Sequence, residues 1–123
     1  MKLCLIVDDS RVVRKVARRI ISDLGFECEE AEDGEKALNF CKNKIPDAVI
    51  LDWNMPIMSG IEFLEVLRTL ENGDHPKVIV CTTENDQKHI QRAVKAGSDE
   101  YIMKPFDGEI LEIKLRQVGL LDD

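Results

Sequence analysis

Short, almost unbroken apolar runs alternate along the chain with longer stretches in which apolar residues recur every third or fourth position. The runs read as strands covered on both faces, the periodic stretches as helices with one buried stripe. Lys2 to Val7 predicts a first strand that ends at Asp8. Val12, Val13, Val16, Ala17, Ile20, Ile21 and Leu24 follow at helical spacing and are expected to form the core stripe of a first helix. Ser10 is its N-cap candidate and Gly25 its left-handed stop. Phe26 to Ala31 predicts a second strand, and Asp33 caps a helix through about Lys42 with Ala37, Leu38 and Cys41 inward. After Pro46, Ala48 to Leu51 predicts the third strand. Ser59 with Glu62 three residues on is a capping-box signature for a helix carrying Ile61, Phe63, Leu64, Leu67 and Leu70. Lys77 to Cys81 predicts the fourth strand, and a helix from about Asp86 to Ala96 is stopped by Gly97. Glu100 to Met103 predicts the fifth strand, and Asp107 caps a last helix through roughly Gln117.

Five strand–helix alternations with short connections imply an α/β fold, a doubly wound five-stranded parallel sheet with five flanking helices. Right-handed crossovers leave few other ways to cover both faces. One sequence does not fix the strand order; the flavodoxin-like order 2-1-3-4-5 is the expectation for a sheet of this kind. Residues 1–123 are expected to form a single domain, with no linker and no second unit.

Composition narrows the function classes. With 44% apolar residues, 4 prolines and 7 glycines, the chain has the makings of an ordinary packed core. A formal charge of −7 repels phosphate backbones and anionic lipid, which argues against direct nucleic-acid or membrane binding. Cys4, Cys28, Cys41 and Cys81 form no C-x-x-C pair, so neither a thiolate metal site nor a disulfide framework is indicated. No leader segment opens the chain and no apolar run approaches the roughly 20 residues of a membrane span, so a cytoplasmic location is expected.

Residues that follow the strands of a parallel sheet emerge on one edge. Here they are Asp8 and Asp9, then Asp52, then Thr82 and Thr83, then Lys104. Two carboxylates about 4 Å apart repel by roughly 4 kcal/mol at an effective dielectric of about 20, so such a cluster calls for a cation or for protonation. Oxygen donors without His or Cys favour Mg2+, which binds through one or two carboxylates and accepts phosphate oxygens. Taken singly, each Asp reads more readily as a helix cap or turn former than as a ligand, and Lys104 reads as well as a solvated loop residue. Four separate strand ends delivering compatible groups to one edge is what favours a site.

These residues, the acidic pair in VDDS, the stretch DWNMPIMSG after the third strand, Thr82 after the fourth and Tyr101 three residues before Lys104 in YIMKPF, carry a resemblance. Across essentially its whole length the chain resembles the receiver domain of two-component response regulators, of the stand-alone chemotaxis (CheY) type without an output domain. The resemblance implies a phosphorylation-dependent signalling switch, not an enzyme beyond slow self-dephosphorylation. Asp52 would accept a phosphoryl group from a sensor histidine kinase. Asp9, Asp52 and the backbone carbonyl of Asn54 would hold Mg2+, with Asp8 acting through water and Mn2+ as a substitute. Lys104, Thr82 and Thr83 would support the phosphoryl oxygens, and Pro105 would follow Lys104 through a cis peptide. Thr82 and Tyr101 would form the switch, and Asn54 and Glu84 would tune dephosphorylation. Thr83 departs from the smaller residue usual at its position.

The implied partners are the kinase, a phosphatase and an output protein such as a flagellar motor switch component, with the chain a monomer. A single-domain phosphorelay or cell-cycle regulator is the alternative within this class. Outside it stands a Mg2+-dependent phosphatase with an aspartyl nucleophile, which would want a second aspartate where this chain has Asn54. Arg11, Arg14, Lys15, Arg18 and Arg19 make a basic stripe on the first helix, either a solvated face or a dock for an acidic helix. Ile110, Leu111, Ile113, Leu115 and Val118 exceed one core stripe on the last helix, and His75 and His89 are expected at the surface without ligand spacing.

Overall fold

The computed structural model describes residues 1–84 and 86–122. The elements run β1 (Leu3–Val7), α1 (Arg11–Asp23), β2 (Glu27–Ala31), α2 (Gly34–Asn43), β3 (Ala48–Asp52), α3 (Gly60–Leu67), β4 (Lys77–Thr82), α4 (Gln87–Ala96), β5 (Glu100–Met103) and α5 (Gly108–Gln117). All strands are parallel in the order β2-β1-β3-β4-β5, the arrangement expected for the doubly wound class.

Alternation along each strand divides the core in two. Leu5 and Val7 of β1 join Leu51, Val80, Phe63, Leu67 and Ala93 under α2, α3 and α4. Cys4 and Ile6 face the other way, with Ile50, Ala17, Ile21, Leu111 and Leu115 under α1 and α5. Both faces are covered, which is why β1, β3 and most of β4 carry no polar alternation. The four cysteines are free and buried, packing as small apolar groups.

Each helix begins as its cap residue dictates. Ser10, Asp33, Ser59, Asp86 and Asp107 accept the amide hydrogen three residues on, and Ser59 with Glu62 completes a reciprocal capping box. α3 stops at Leu67, so Leu70 packs on the core from beyond the helix end.

α1 differs from its periodicity. Its buried stripe is Ala17 and Ile21, flanked by half-buried Val13, Ile20 and Leu24, whereas Val12 is 71% and Val16 50% exposed. Each lies one position off the stripe, over a groove of about 340 Å³ whose lining also includes Phe106 and Lys104. Seven apolar residues at helical spacing are more than the contact with the sheet and α5 can cover.

The edge at the strand starts is cross-braced. The Leu3 amide donates to Asp47 Oδ2 and the Asp47 amide to the Leu3 carbonyl, both at 2.8 Å. Asp99 repeats the device with Val78, its Oδ2 accepting at 2.8 Å and its amide donating at 2.9 Å. Arg68, just past α3, donates to the carbonyls of Gly73, Pro76 and Gly97 and to Asp99 at 2.7–3.1 Å.

Candidate functional site

The opposite edge, at the strand ends, is where polar groups are buried. Asp8 directly follows β1 and is 3% exposed; Asp52 is the last residue of β3 and is 5% exposed. Ladder pairing carries β3 through Asp52 and β4 through Thr82, one residue further in each case than the apolar runs reach. Lys104 follows β5 and donates to Asp8 Oδ2 at 2.7 Å and to Asp52 Oδ1 at 3.0 Å. The ammonium thus ties together the ends of three strands that lie 96 and 52 residues away in sequence.

Asp9 is exposed, yet carboxylate oxygens of Asp8, Asp9 and Asp52 lie within 4.8 Å of one another. Burial pushes the Asp52 carboxyl up to about 6; the Lys104 hydrogen bond pulls it down and the neighbouring Asp8 charge pushes it up again. Burial opposes the Lys104 charge, but hydrogen bonds to Asp8 and Asp52 outweigh it and hold its pKa above the ordinary value. One ammonium does not balance three carboxylates. Three hard oxygen donors without imidazole or thiol fit Mg2+.

Local backbone chemistry shapes the β3–α3 turn. The Trp53 amide donates to the Cys81 carbonyl at 3.1 Å, and the Gly60 amide returns to the Trp53 carbonyl at 2.9 Å. A Cβ at Gly60 would stand 2.1 Å from the Asp52 carbonyl oxygen, so only glycine permits α3 to start this close to the strand end. Ile57 adopts φ of +70°, unusual for a β-branched residue, and is 76% exposed. Asn54 is exposed on this turn.

Thr82 is 1% exposed and its hydroxyl oxygen accepts the Glu84 amide at 3.0 Å, which leaves its own hydrogen available. Thr83 and Glu84 are exposed, Thr83 on the lining of the groove beside Val12 and Val16. Tyr101 is half-buried; its hydroxyl oxygen is buried and makes no hydrogen bond of ordinary geometry among the described residues, and burial raises its pKa while the neighbouring Thr82 hydroxyl opposes that rise. The Lys104–Pro105 peptide is cis.

Some neighbours were not visible in the sequence. The His89 ring packs on Trp53 at 4.9 Å between centroids, and its Nδ1 lies 2.9 Å from Asp86 Oδ1. With Glu84 they form a second group within ligand reach, largely solvated at the start of α4. Spacing in the chain gave no hint, because Trp53 and His89 meet only through sheet order. The basic stripe of α1 also divides. Arg14 and Arg18 are taken up by Glu30 at 3.0 and 2.8 Å, while Arg11, Lys15 and Arg19 stay exposed.

With this geometry in hand, similarity to known proteins is specific. The family model for the response regulator receiver domain matches residues 4–116. Chemotaxis protein CheY-3 of Vibrio cholerae is 40% identical over 115 residues, covering 93% of this chain and 88% of the relative. Chemotaxis protein CheY of Pseudomonas aeruginosa is 36% identical over 115 residues, covering 93% of each. The crystal structure of the chemotaxis response regulator CheY4 of Vibrio cholerae superposes with a TM-score of 0.91 at 33% identity, covering 96% of this chain and 98% of that one. Receiver domains are phosphorylation-dependent signalling switches that bind Mg2+ at an acidic pocket and work between a histidine kinase and a downstream target. The chain belongs to the response regulator receiver domain family, and within it to the chemotaxis type.

Proposed function

We propose that the chain takes a phosphoryl group from a sensor histidine kinase onto Asp52, and that the charge and bulk added there remodel a partner-binding surface. The observation that carries this reading is the bridge from Lys104 to both Asp8 and Asp52, which gathers groups from three strand ends around one reactive carboxylate. An Asp52 carboxylate oxygen attacks phosphorus; the new O–P bond forms as the N–P bond of the donor phosphohistidine breaks, and the imidazole nitrogen keeps that electron pair. Lys104 and the Thr82 hydroxyl would neutralise and hydrogen-bond the phosphoryl oxygens, with Thr83 at the pocket rim. Asp9, Asp52 and the Asn54 backbone carbonyl are the residues that would hold Mg2+, with Asp8 acting through water. When bound, the ion supplies the positive charge that offsets the phosphoryl oxygens, a role open to Mn2+.

After transfer, the Thr82 hydroxyl turns towards the phosphoryl group and Tyr101 fills the space it leaves. The buried, unpartnered Tyr101 hydroxyl oxygen supports a side chain able to change its contacts. The altered surface spans α4, β5 and α5, and its reader is an output protein such as a flagellar motor switch component. Asn54 and Glu84, both exposed, would set how readily water reaches the acyl phosphate.

The test is intact-mass and Trp53 fluorescence measurement with Mg2+ and acetyl phosphate. The wild type should gain one phosphoryl group and shift its emission; Asp52→Asn should do neither while keeping its circular dichroism. Labelling of Asp52→Asn at the wild-type rate would overturn the assignment.

A further inference from the structure

One half-buried cation near the pocket has no part in the mechanism above. Arg14, on α1, has a side chain only 13% exposed and donates from Nη1 to the Asp8 backbone carbonyl at 2.7 Å. Its Nε donates to Glu30 Oε1 at 3.0 Å, so β2 aims the guanidinium. Each other polar atom of Asp8 already has a partner. Its amide donates to the Ala31 carbonyl, its Oδ1 accepts the Ser10 amide and its Oδ2 accepts Lys104. Asp9 is different: it is exposed, and its direction depends on the peptide plane that joins it to Asp8. The Asp8 carbonyl belongs to that plane.

We propose that Arg14 is a positioning residue for the divalent-cation pocket, fixing the Asp8–Asp9 peptide plane, and so the Asp9 carboxylate, through the Asp8 carbonyl, with Glu30 as the group that aims and neutralises it. The role rests on the assignment of Asp9 to the Mg2+ set. Groups that orient ligands without touching the ion commonly govern affinity by 10- to 100-fold at metal sites. Charge and placement act in opposite directions here. A cation near the pocket repels Mg2+, so loss of charge alone tightens binding, whereas loss of the hydrogen bond weakens it. Arg18 separates the two, since it pairs with the same Glu30 but makes no hydrogen bond to Asp8. A lysine at position 14 keeps the charge and lacks the planar fork that serves Glu30 and the Asp8 carbonyl together.

The experiment is calorimetric titration of the full chain with Mg2+ for wild type, Arg14→Lys, Arg14→Ala, Arg18→Lys and Arg18→Ala, with thermal unfolding in EDTA alongside. Arg14→Lys should weaken the Mg2+ Kd several-fold and Arg14→Ala about tenfold. Arg18→Lys should leave it unchanged, and Arg18→Ala should leave it within about twofold or tighten it. At saturating Mg2+, the acetyl phosphate labelling rate of Arg14→Lys should return to that of wild type. If Arg14→Ala does not fold, Arg14→Lys carries the test, as it alters no charge. Equal Kd values for wild type and Arg14→Lys would overturn the role of Arg14 and leave the pocket assignment standing. A wild type that binds no Mg2+ would overturn the pocket assignment, and the role of Arg14 with it.

Discussion

Asp52 is held at odds with its own charge. Burial raises its pKa from 3.8 to about 6, so ionisation opposes folding at neutral pH by up to about 3 kcal/mol, a penalty absent below the unfolded value and complete above the folded one. Asp52→Asn keeps an oxygen for Lys104 and removes the charge. In EDTA at neutral pH it should melt several degrees above wild type by calorimetry; an equal or lower Tm would mean that the ionised Asp52 carboxylate carries no net penalty in the folded state. Single residues differed in how far the sequence exposed them. Asp8, Asp52 and Lys104 could be placed because a parallel sheet sends every strand end to one edge, whatever the side-chain detail. Val12, Val16, Arg14 and His89 could not, since their surroundings depend on helix rotation and on contacts with elements distant in sequence. A helical period says that one face is buried and leaves its angular width open by about one residue.

The element boundaries follow the cap residues closely, because Ser10, Asp33, Ser59, Asp86 and Asp107 each supply an acceptor that the first helical turn lacks. The ends of β3 and β4 were less legible: Asp52 and Thr82 are polar, and only ladder pairing with β4 and β5 keeps them in the sheet. The β3–α3 junction depends on Gly60. A methyl group there would meet the Asp52 carbonyl oxygen, so Gly60→Ala should cost about 1–3 kcal/mol in denaturant unfolding and slow acetyl phosphate labelling more than Tm alone explains. At the other edge, Asp47 joins β3 to β1. Hydrogen bonds from His75 and the Leu3 amide hold its carboxyl below the ordinary value near 3.8. A depressed carboxyl stabilises the fold above that value and loses the contribution as pH falls through the folded one. Asp47→Ala should therefore lower Tm by a few degrees at neutral pH, with the gap to wild type narrowing in acid, as thermal scans across pH would show.

The molecule as a whole carries a net charge of −7, and its densest buried negative charge lies at the strand-end edge. Ligand binding to the folded state alone raises stability by about 2.7 kcal/mol at a hundredfold excess over Kd. Mg2+ should accordingly raise Tm in differential scanning calorimetry. Asp9→Asn should blunt that rise while barely changing Tm in EDTA, because Asp9 is exposed. A rise of equal size in both proteins would place the ion elsewhere.

The braces made by Arg68, Asp47 and Asp99 have a mechanical consequence. A plate bolted along one margin deflects at the other. A displacement begun at Asp52 should therefore be resisted at the starts of β1, β3, β4 and β5 and relieved along the opposite rim. Deuterium uptake should record this asymmetry, with the amides of Leu3, Val78 and Asp99 exchanging late and those of Asn54, Met55 and Ile57 exchanging early.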